Sequence, residues 1–194
     1  MSAKVAFLGL GVMGFPMAGH LKAKGYDVTV YNRTAAKSRD WVTRHGGQSA
    51  ATPAEAAKGA DMVAMCVGND RDLAEVAAAA LEGMRKGAIL IDHTTASADA
   101  ARRLFADAKG RGIDFIDAPV SGGQAGAENG ALTVMCGGEA GPFGRAKPVM
   151  DCYAKAVTLL GPAGSGQLTK MVNQVCIAGL VQGLAEGIAF AEKA

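Results

Sequence analysis

A chain of 194 residues with 49% hydrophobic and 20% charged side chains can form one packed core, or one domain and the start of another, and is not a disordered polymer. Its net charge of +2 comes from Lys and Arg dispersed along the chain, so it lacks the basic run that marks a nucleic-acid surface. Cys66, Cys136, Cys152 and Cys176 are far apart, without a C-x-x-C pair or an interleaved His, which excludes a zinc or dithiol motif and predicts reduced core thiols and no metal.

Met1 to Lys4 runs directly into an apolar strand, leaving no room for a signal peptide, so a cytoplasmic protein is expected. That strand, Val5 to Leu8, leads into Gly9-Leu10-Gly11-Val12-Met13-Gly14 and then into a helical stretch, Phe15 to Lys24. The order strand, glycine turn, helix is the setting in which G-x-G-x-x-G binds a dinucleotide. Gly9 makes the turn and Gly11 leaves room for a pyrophosphate. Gly14 allows helix and strand to pack closely, with the helix N–H groups facing the phosphates. Leu10, Val12 and Met13 belong to the same turn.

Tyr26 to Tyr31 reads as the second strand, and Asn32-Arg33-Thr34 follows at the distance where such folds read the ribose. An acidic residue there would accept the 2′-hydroxyl. Arg33 instead offers a guanidinium to a 2′-phosphate, with Asn32 and Thr34 as short donors, so NADP(H) is expected in preference to NAD(H). Thr34 is also placed to cap a helix from Ala35 to His45, stopped by Gly46-Gly47.

Thr52-Pro53-Ala54-Glu55 predicts a capped short helix to Lys58. Asp61 to Val67 is a buried strand whose carboxyl end, Cys66 to Asn69, lies where an open α/β sheet presents its ligands. A helix over Asp70 to Leu81 and a strand over Ala88 to Ile91 follow. Next comes Asp92-His93-Thr94-Thr95-Ala96-Ser97, in which Thr94, Thr95 and Ser97 are cofactor candidates and a cap for the helix running to Lys109 would account for one of them without any ligand. His20, His45 and His93 are isolated and are assigned no catalytic role.

Ile113 to Ala118 is expected as the fifth strand. After it, Pro119 to Ala127 is so rich in small residues that a loop is expected, either an anion-binding one through Ser121, Gly122 and Gly123 or a permissive turn. Ala131 to Gly137 and Ala154 to Leu160 are strands around a helix from Pro142 to Met150. From Gly164 onward the pattern is helical for roughly 45 Å. Asn173, Gln174, Gln182 and Glu186 interrupt its apolar run and argue against a membrane span. Gly179, Gly183 and Gly187 leave a stripe without side chains. No stop signal closes this helix, so a further helical unit is expected beyond it.

Lys170, Asn173 and Gln174 share one face of this helix, where an ammonium and an amide could serve a bound carbonyl. Four motifs together resemble the β-hydroxyacid dehydrogenases: the stretches 9–18, Asp92-His93-Thr94-Thr95, Asp117 to Gly123, and Gly166 to Gln174. The group includes 3-hydroxyisobutyrate dehydrogenase and the tartronate, glyoxylate and succinic semialdehyde reductases. The resemblance implies that Ser121, Gly122 and Gly123 hold a substrate carboxylate with Gln174 nearby. It also implies that Lys170 is the catalytic acid/base supported by Asn173, and that Thr95 touches the cofactor. Many such enzymes carry a second Asn where Gln174 stands; tartronate semialdehyde reductases share Asn-Gln. The family continues into an all-helical domain of about 100 residues that completes the site and the dimer.

The expected architecture is a Rossmann-type, doubly wound and mostly parallel sheet over residues 1–162. Residues 163–194 begin the helical domain. The expected reaction is reversible hydride transfer between NADP(H) and the β-carbon of a short 3-hydroxy acid or its semialdehyde, in a homo-oligomer that binds neither nucleic acid nor membrane. A nucleotide-binding or dimerisation module without turnover is the alternative. So is an imine reductase-like enzyme, although those generally lack the Lys.

Overall fold

The structure, a computed structural model, describes residues 3–194. Strands and helices alternate as β1 (Lys4–Leu8), α1 (Gly14–Ala23), β2 (Asp27–Tyr31), α2 (Ala35–His45), β3 (Gln48–Ser49), α3 (Pro53–Ala57), β4 (Met62–Met65), α4 (Asp70–Gly83), β5 (Ile89–Asp92), α5 (Ala98–Gly110) and β6 (Asp114–Asp117). These are followed by β7 (Val120–Ser121), α6 (Gly123–Glu128), β8 (Leu132–Gly138), α7 (Ala140–Met150), β9 (Ala154–Gly161) and α8 (Ser165–Lys193). The sheet order is β3-β2-β1-β4-β5-β6-β8-β7, with β9 on the other edge of β8. Strands β1 to β6 are mutually parallel, β8 runs antiparallel to β6 and β7, and β9 is parallel to β8. This is a Rossmann-type sheet with an antiparallel extension, and its order reverses between β1 and β4.

Period-two alternation along each strand sends residues to two separate cores. Val5 and Phe7 join Met17, Leu21, Trp41 and Val149 under α1, α2 and α7. Ala6 and Leu8 join Leu73, Leu81, Leu104 and Phe115 under α3, α4 and α5. A strand covered on both faces must be apolar at every position, which is why β1, β4 and β5 read as continuous hydrophobic runs.

Three elements differ from the sequence expectation. β3 is a two-residue strand with both residues exposed, too short to carry a periodic signal, and it makes Asp114–Asp117 the sixth strand. The stretch 119–127 is not a loop: Val120 and Ser121 pair with Val134 and Thr133, and Gly123–Glu128 is helical. Cys176 is exposed on α8, so only Cys136 of the four thiols is a buried core residue. The Thr52 cap is formed, its Oγ1 accepting the Glu55 N–H at 3.1 Å. Thr34 precedes α2 without a side-chain cap bond.

At the carboxyl end of β5, His93 donates its Nδ1–H to the Ala118 carbonyl at 2.7 Å, and its Nε2 therefore accepts the Tyr153 hydroxyl at 2.8 Å. Burial lowers the His93 pKa to about 4, keeping the ring neutral. Its neighbour Asp92 is fully buried, with Oδ1 taking the Thr94 N–H and Oδ2 taking no partner among the described residues. Burial pushes that carboxyl up to about 7. A carboxyl raised in this way stabilises the fold at low pH and loses that contribution as pH rises through 7. Asp92→Asn should therefore gain on the wild type from about pH 4 upward, levelling above pH 7 after a relative gain on the order of 4 kcal/mol. Urea unfolding across this range tests it; a difference independent of pH would show that Asp92 does not titrate there.

Candidate functional site

The glycine turn lies at the point where the sheet order reverses. Gly9 donates its N–H to the Tyr31 carbonyl at 2.9 Å, and the Cys66 N–H reaches the Leu8 carbonyl at 2.9 Å, so the ends of β1, β2 and β4 are laced together. The Leu10 N–H is taken by Asn32 Oδ1 at 2.9 Å, and Asn32 Nδ2 donates to the Thr34 carbonyl at 3.2 Å. Asn32 thus braces the turn, a role its sequence position did not suggest.

A cleft of about 590 Å³ opens above these ends. One wall is Gly9, Gly11, Val12, Met13 and Gly14; a second is Tyr31 to Thr34 with Lys37; a third is Cys66 to Gly68 with Asp72, Glu75, Val76 and Ala79 of α4. Every expected cofactor residue lines it except Leu10, Asn69, Thr94, Thr95 and Ser97. Thr94 and Ser97 spend their hydroxyls within the protein, accepting the Val67 N–H and the Ala100 N–H. Leu10 is buried in the core, and Asn69 spends its side chain capping the Arg71 and Asp72 N–H groups of α4. Thr95 lies exposed at the end of β5, its hydroxyl free of protein partners among the described residues.

A dinucleotide fits the glycine positions. Gly9 has φ +98°, and an added Cβ there would strike the Cys66 carbonyl. A Cβ on Gly14 would strike the Gly9 carbonyl and approach the Phe7 ring, so α1 could not seat against β1. A Cβ on Gly11 would meet nothing within 4 Å, which leaves an open cradle beside the first turn of α1. At the other end Arg33 is exposed and stands 3.5 Å from Asp72, with Lys37 next to it on the cleft wall. Cys66 is held as a neutral thiol, its pKa pushed up to about 12 by burial and by Asp92.

The second group of candidate residues lies outside this cleft. Ser121 is half-buried in β7, and Gly122 and Gly123, at φ +131° and +61°, are exposed at the start of α6. Lys170 is only 9% exposed, with no ion pair or hydrogen bond among the described residues, and burial lowers its pKa. Asn173 donates to Gln174 Oε1 at 3.2 Å, a bond within the pair rather than one to Lys170.

Asp117 and Gln167 escaped the sequence reading, yet they hold α8 on the sheet. The buried Asp117 carboxylate accepts the Gly164 N–H at 2.8 Å through Oδ1 and the Gln167 N–H at 3.0 Å through Oδ2. Burial raises its pKa while these helix-end bonds oppose the rise. Gly166 carries no Cβ because one would strike the Met135 carbonyl and Asp117. The cue was an Asp at a strand end, but the N–H groups it caps are 47 and 50 residues away.

The three glycines separate packing from binding. Gly14→Ala should lose about 2–4 kcal/mol in urea unfolding through the backbone clash. Gly11→Ala should change stability by under about 1 kcal/mol yet weaken binding of a nicotinamide dinucleotide about tenfold or more in calorimetric titration with NADH and NADPH. Undiminished binding by Gly11→Ala would place the pyrophosphate elsewhere.

Residues 4–161 match the family described as the NAD binding domain of 6-phosphogluconate dehydrogenase. Over 99% of its length the chain is 63% identical to an uncharacterized oxidoreductase of Shewanella frigidimarina, covering 67% of that protein. It is 40% identical to a probable 3-hydroxyisobutyrate dehydrogenase-like protein of Arabidopsis thaliana, over 98% of this chain and 64% of the relative. Among solved structures, 3-hydroxyisobutyrate dehydrogenase of Mycobacterium tuberculosis with L-serine superposes at a TM-score of 0.95 with 33% identity, over all of this chain and 66% of that one. The chain thus spans about two thirds of the length of these relatives. It belongs to the NAD(P)-binding domain family that 6-phosphogluconate dehydrogenase shares with the 3-hydroxyisobutyrate dehydrogenases.

Proposed function

We propose that this chain carries the cofactor domain, residues 1–162, and the first helix of the substrate side, residues 163–194, of an NADP(H)-dependent dehydrogenase. Its substrate is a short 3-hydroxy acid or the matching semialdehyde. The observation that carries the reading is Lys170: an amine buried without an anionic partner, its pKa lowered, on a helix bonded to the carboxyl end of the sheet beside Thr95. When bound, the cofactor supplies or accepts hydride at the substrate carbon. Lys170 in its ammonium form donates a proton to the developing alkoxide in reduction, and as the free amine removes the hydroxyl proton in oxidation. Desolvation favours the amine, which brings both forms closer to neutral pH.

Ser121, Gly122 and Gly123 would take the substrate carboxylate, and Asn173 with Gln174 would complete the polar edge. L-serine, named with the tuberculosis relative, is itself a 3-hydroxy acid and supports this substrate class. Arg33 and Lys37 would bind the 2′-phosphate of NADP(H); the weak pair of Arg33 with Asp72 yields readily to a doubly charged ligand. The exposed apolar side chains of α8, from Leu168 to Phe190, would be covered by further helices and by a second copy in a cytoplasmic homo-oligomer. The same exposure favours a second reading for the 194-residue chain taken alone, a cofactor-binding module that does not turn over.

Two variants of the whole protein test the assignment. Lys170→Ala should lower kcat by about 100-fold or more while NADPH affinity stays within about twofold; retention of most turnover would remove Lys170 from the chemistry. Arg33→Ala should weaken NADPH binding about tenfold or more and leave NADH within about twofold. Equal loss of both cofactors would overturn the preference for NADP(H).

A further inference from the structure

The amide of Gln167 joins two parts of the molecule that the proposed reaction requires in register. It is fully buried in the first turn of α8, one turn ahead of Lys170 on the same face. Its Oε1 accepts the Ala96 N–H at 3.1 Å, and its Nε2 donates to the Thr94 carbonyl at 2.6 Å. The partners fix the amide's orientation, since a backbone N–H needs the oxygen and a carbonyl needs the NH₂. The two bonds fall on either side of Thr95. Thr94 is itself tied across the sheet, its Oγ1 accepting the Val67 N–H at 3.1 Å, and Val67 lines the cofactor cleft. One side chain therefore connects the cleft wall and the end of β5 to the helix that carries Lys170.

We propose that Gln167 is a positioning residue: it sets the distance between the Lys170 amine and the cofactor edge at Thr95, and thereby aligns proton transfer with hydride transfer. This rests on the assignment of Lys170 as the acid/base. The Asp117 cap fixes where α8 begins, but it grips backbone groups only. Gln167 adds the second attachment, which blocks rotation of the helix about its own axis, the motion that would swing Lys170 away. A displacement of about 1 Å at such a group costs up to about 100-fold in rate.

The test compares Gln167→Met, Gln167→Glu and Lys170→Ala in the whole protein, with folding checked by thermal melts and NADPH titration. Gln167→Met keeps the volume and loses both bonds; kcat should fall about tenfold or more while KM for NADPH stays within about twofold. Gln167→Glu supplies the same donor and acceptor only while its carboxyl is protonated, and burial near Asp117 raises that carboxyl's pKa. Its kcat relative to wild type should be near unity at low pH and fall as pH rises, a signature that a general loss of packing would not give. It also serves as the test should Gln167→Met fail to fold. In the Lys170→Ala background the Met substitution should add little to the loss. If Lys170→Ala abolishes turnover but both Gln167 variants keep wild-type kcat at all pH values, the positioning role is overturned. If Lys170→Ala itself keeps turnover, the fault lies with the assignment of Lys170.

Discussion

The close approach of β1 to α1 is the constraint on which the rest of this structure depends. The backbone at Gly14 lies against the Gly9 carbonyl, and Gly9 lies against the Cys66 carbonyl, with no room for a side chain at either place. Three strand ends and the first helix therefore meet at van der Waals distance of backbone on backbone. That meeting closes the floor of the cleft and aims the start of α1 at it, while the space beside Gly11 stays open for a ligand. Asn32, bonded to Leu10 and Thr34, locks the same junction from the side of β2.

A second junction, built by Asp117 and the first turn of α8, seats that helix. Here the contacts are polar, because a helix start leaves N–H groups that must be satisfied where water is excluded. Asp117 supplies a carboxylate from β6 and Gln167 returns an amide to the end of β5. Asp92 and Asp117 are direct neighbours in the β5–β6 pairing, yet their surroundings differ. Asp117 gains bonds to helix N–H groups that favour its charge, whereas Asp92 Oδ2 has none and its carboxyl rises to about 7. Burial thus raises both carboxyls, and the helix N–H bonds oppose that rise at Asp117.

Charge is distributed just as unevenly around the cleft. Arg33 and Lys37 stand on one side of it and Asp72 and Glu75 on the other, so the cleft presents both signs within one opening. Beyond Lys170, α8 is almost wholly exposed and long and apolar enough by composition to cross a membrane, although polar residues recur along it. Its side chains have the character of a helix that packs on several sides.

The sequence by itself determined the strand and helix alternation, the glycine turn and the stretch after β2 that lines the cleft, because each is written in residues that lie close together and obey a local period. Gly9, Gly11 and Gly14, Arg33 and the buried runs of β1, β4 and β5 are of this kind. What only the tertiary structure decided is how distant groups are spent: Asn32 on a neighbouring turn, Asn69 and Ser97 on helix caps, Thr94 on Val67, Asp117 and Gln167 on the seat of α8. The short elements β3, β7 and α6 were likewise unreadable, since two to six residues hold no period and owe their shape to the strands they meet. A polar side chain names its chemistry in the sequence, but its partner is chosen by the packing of elements far apart along the chain.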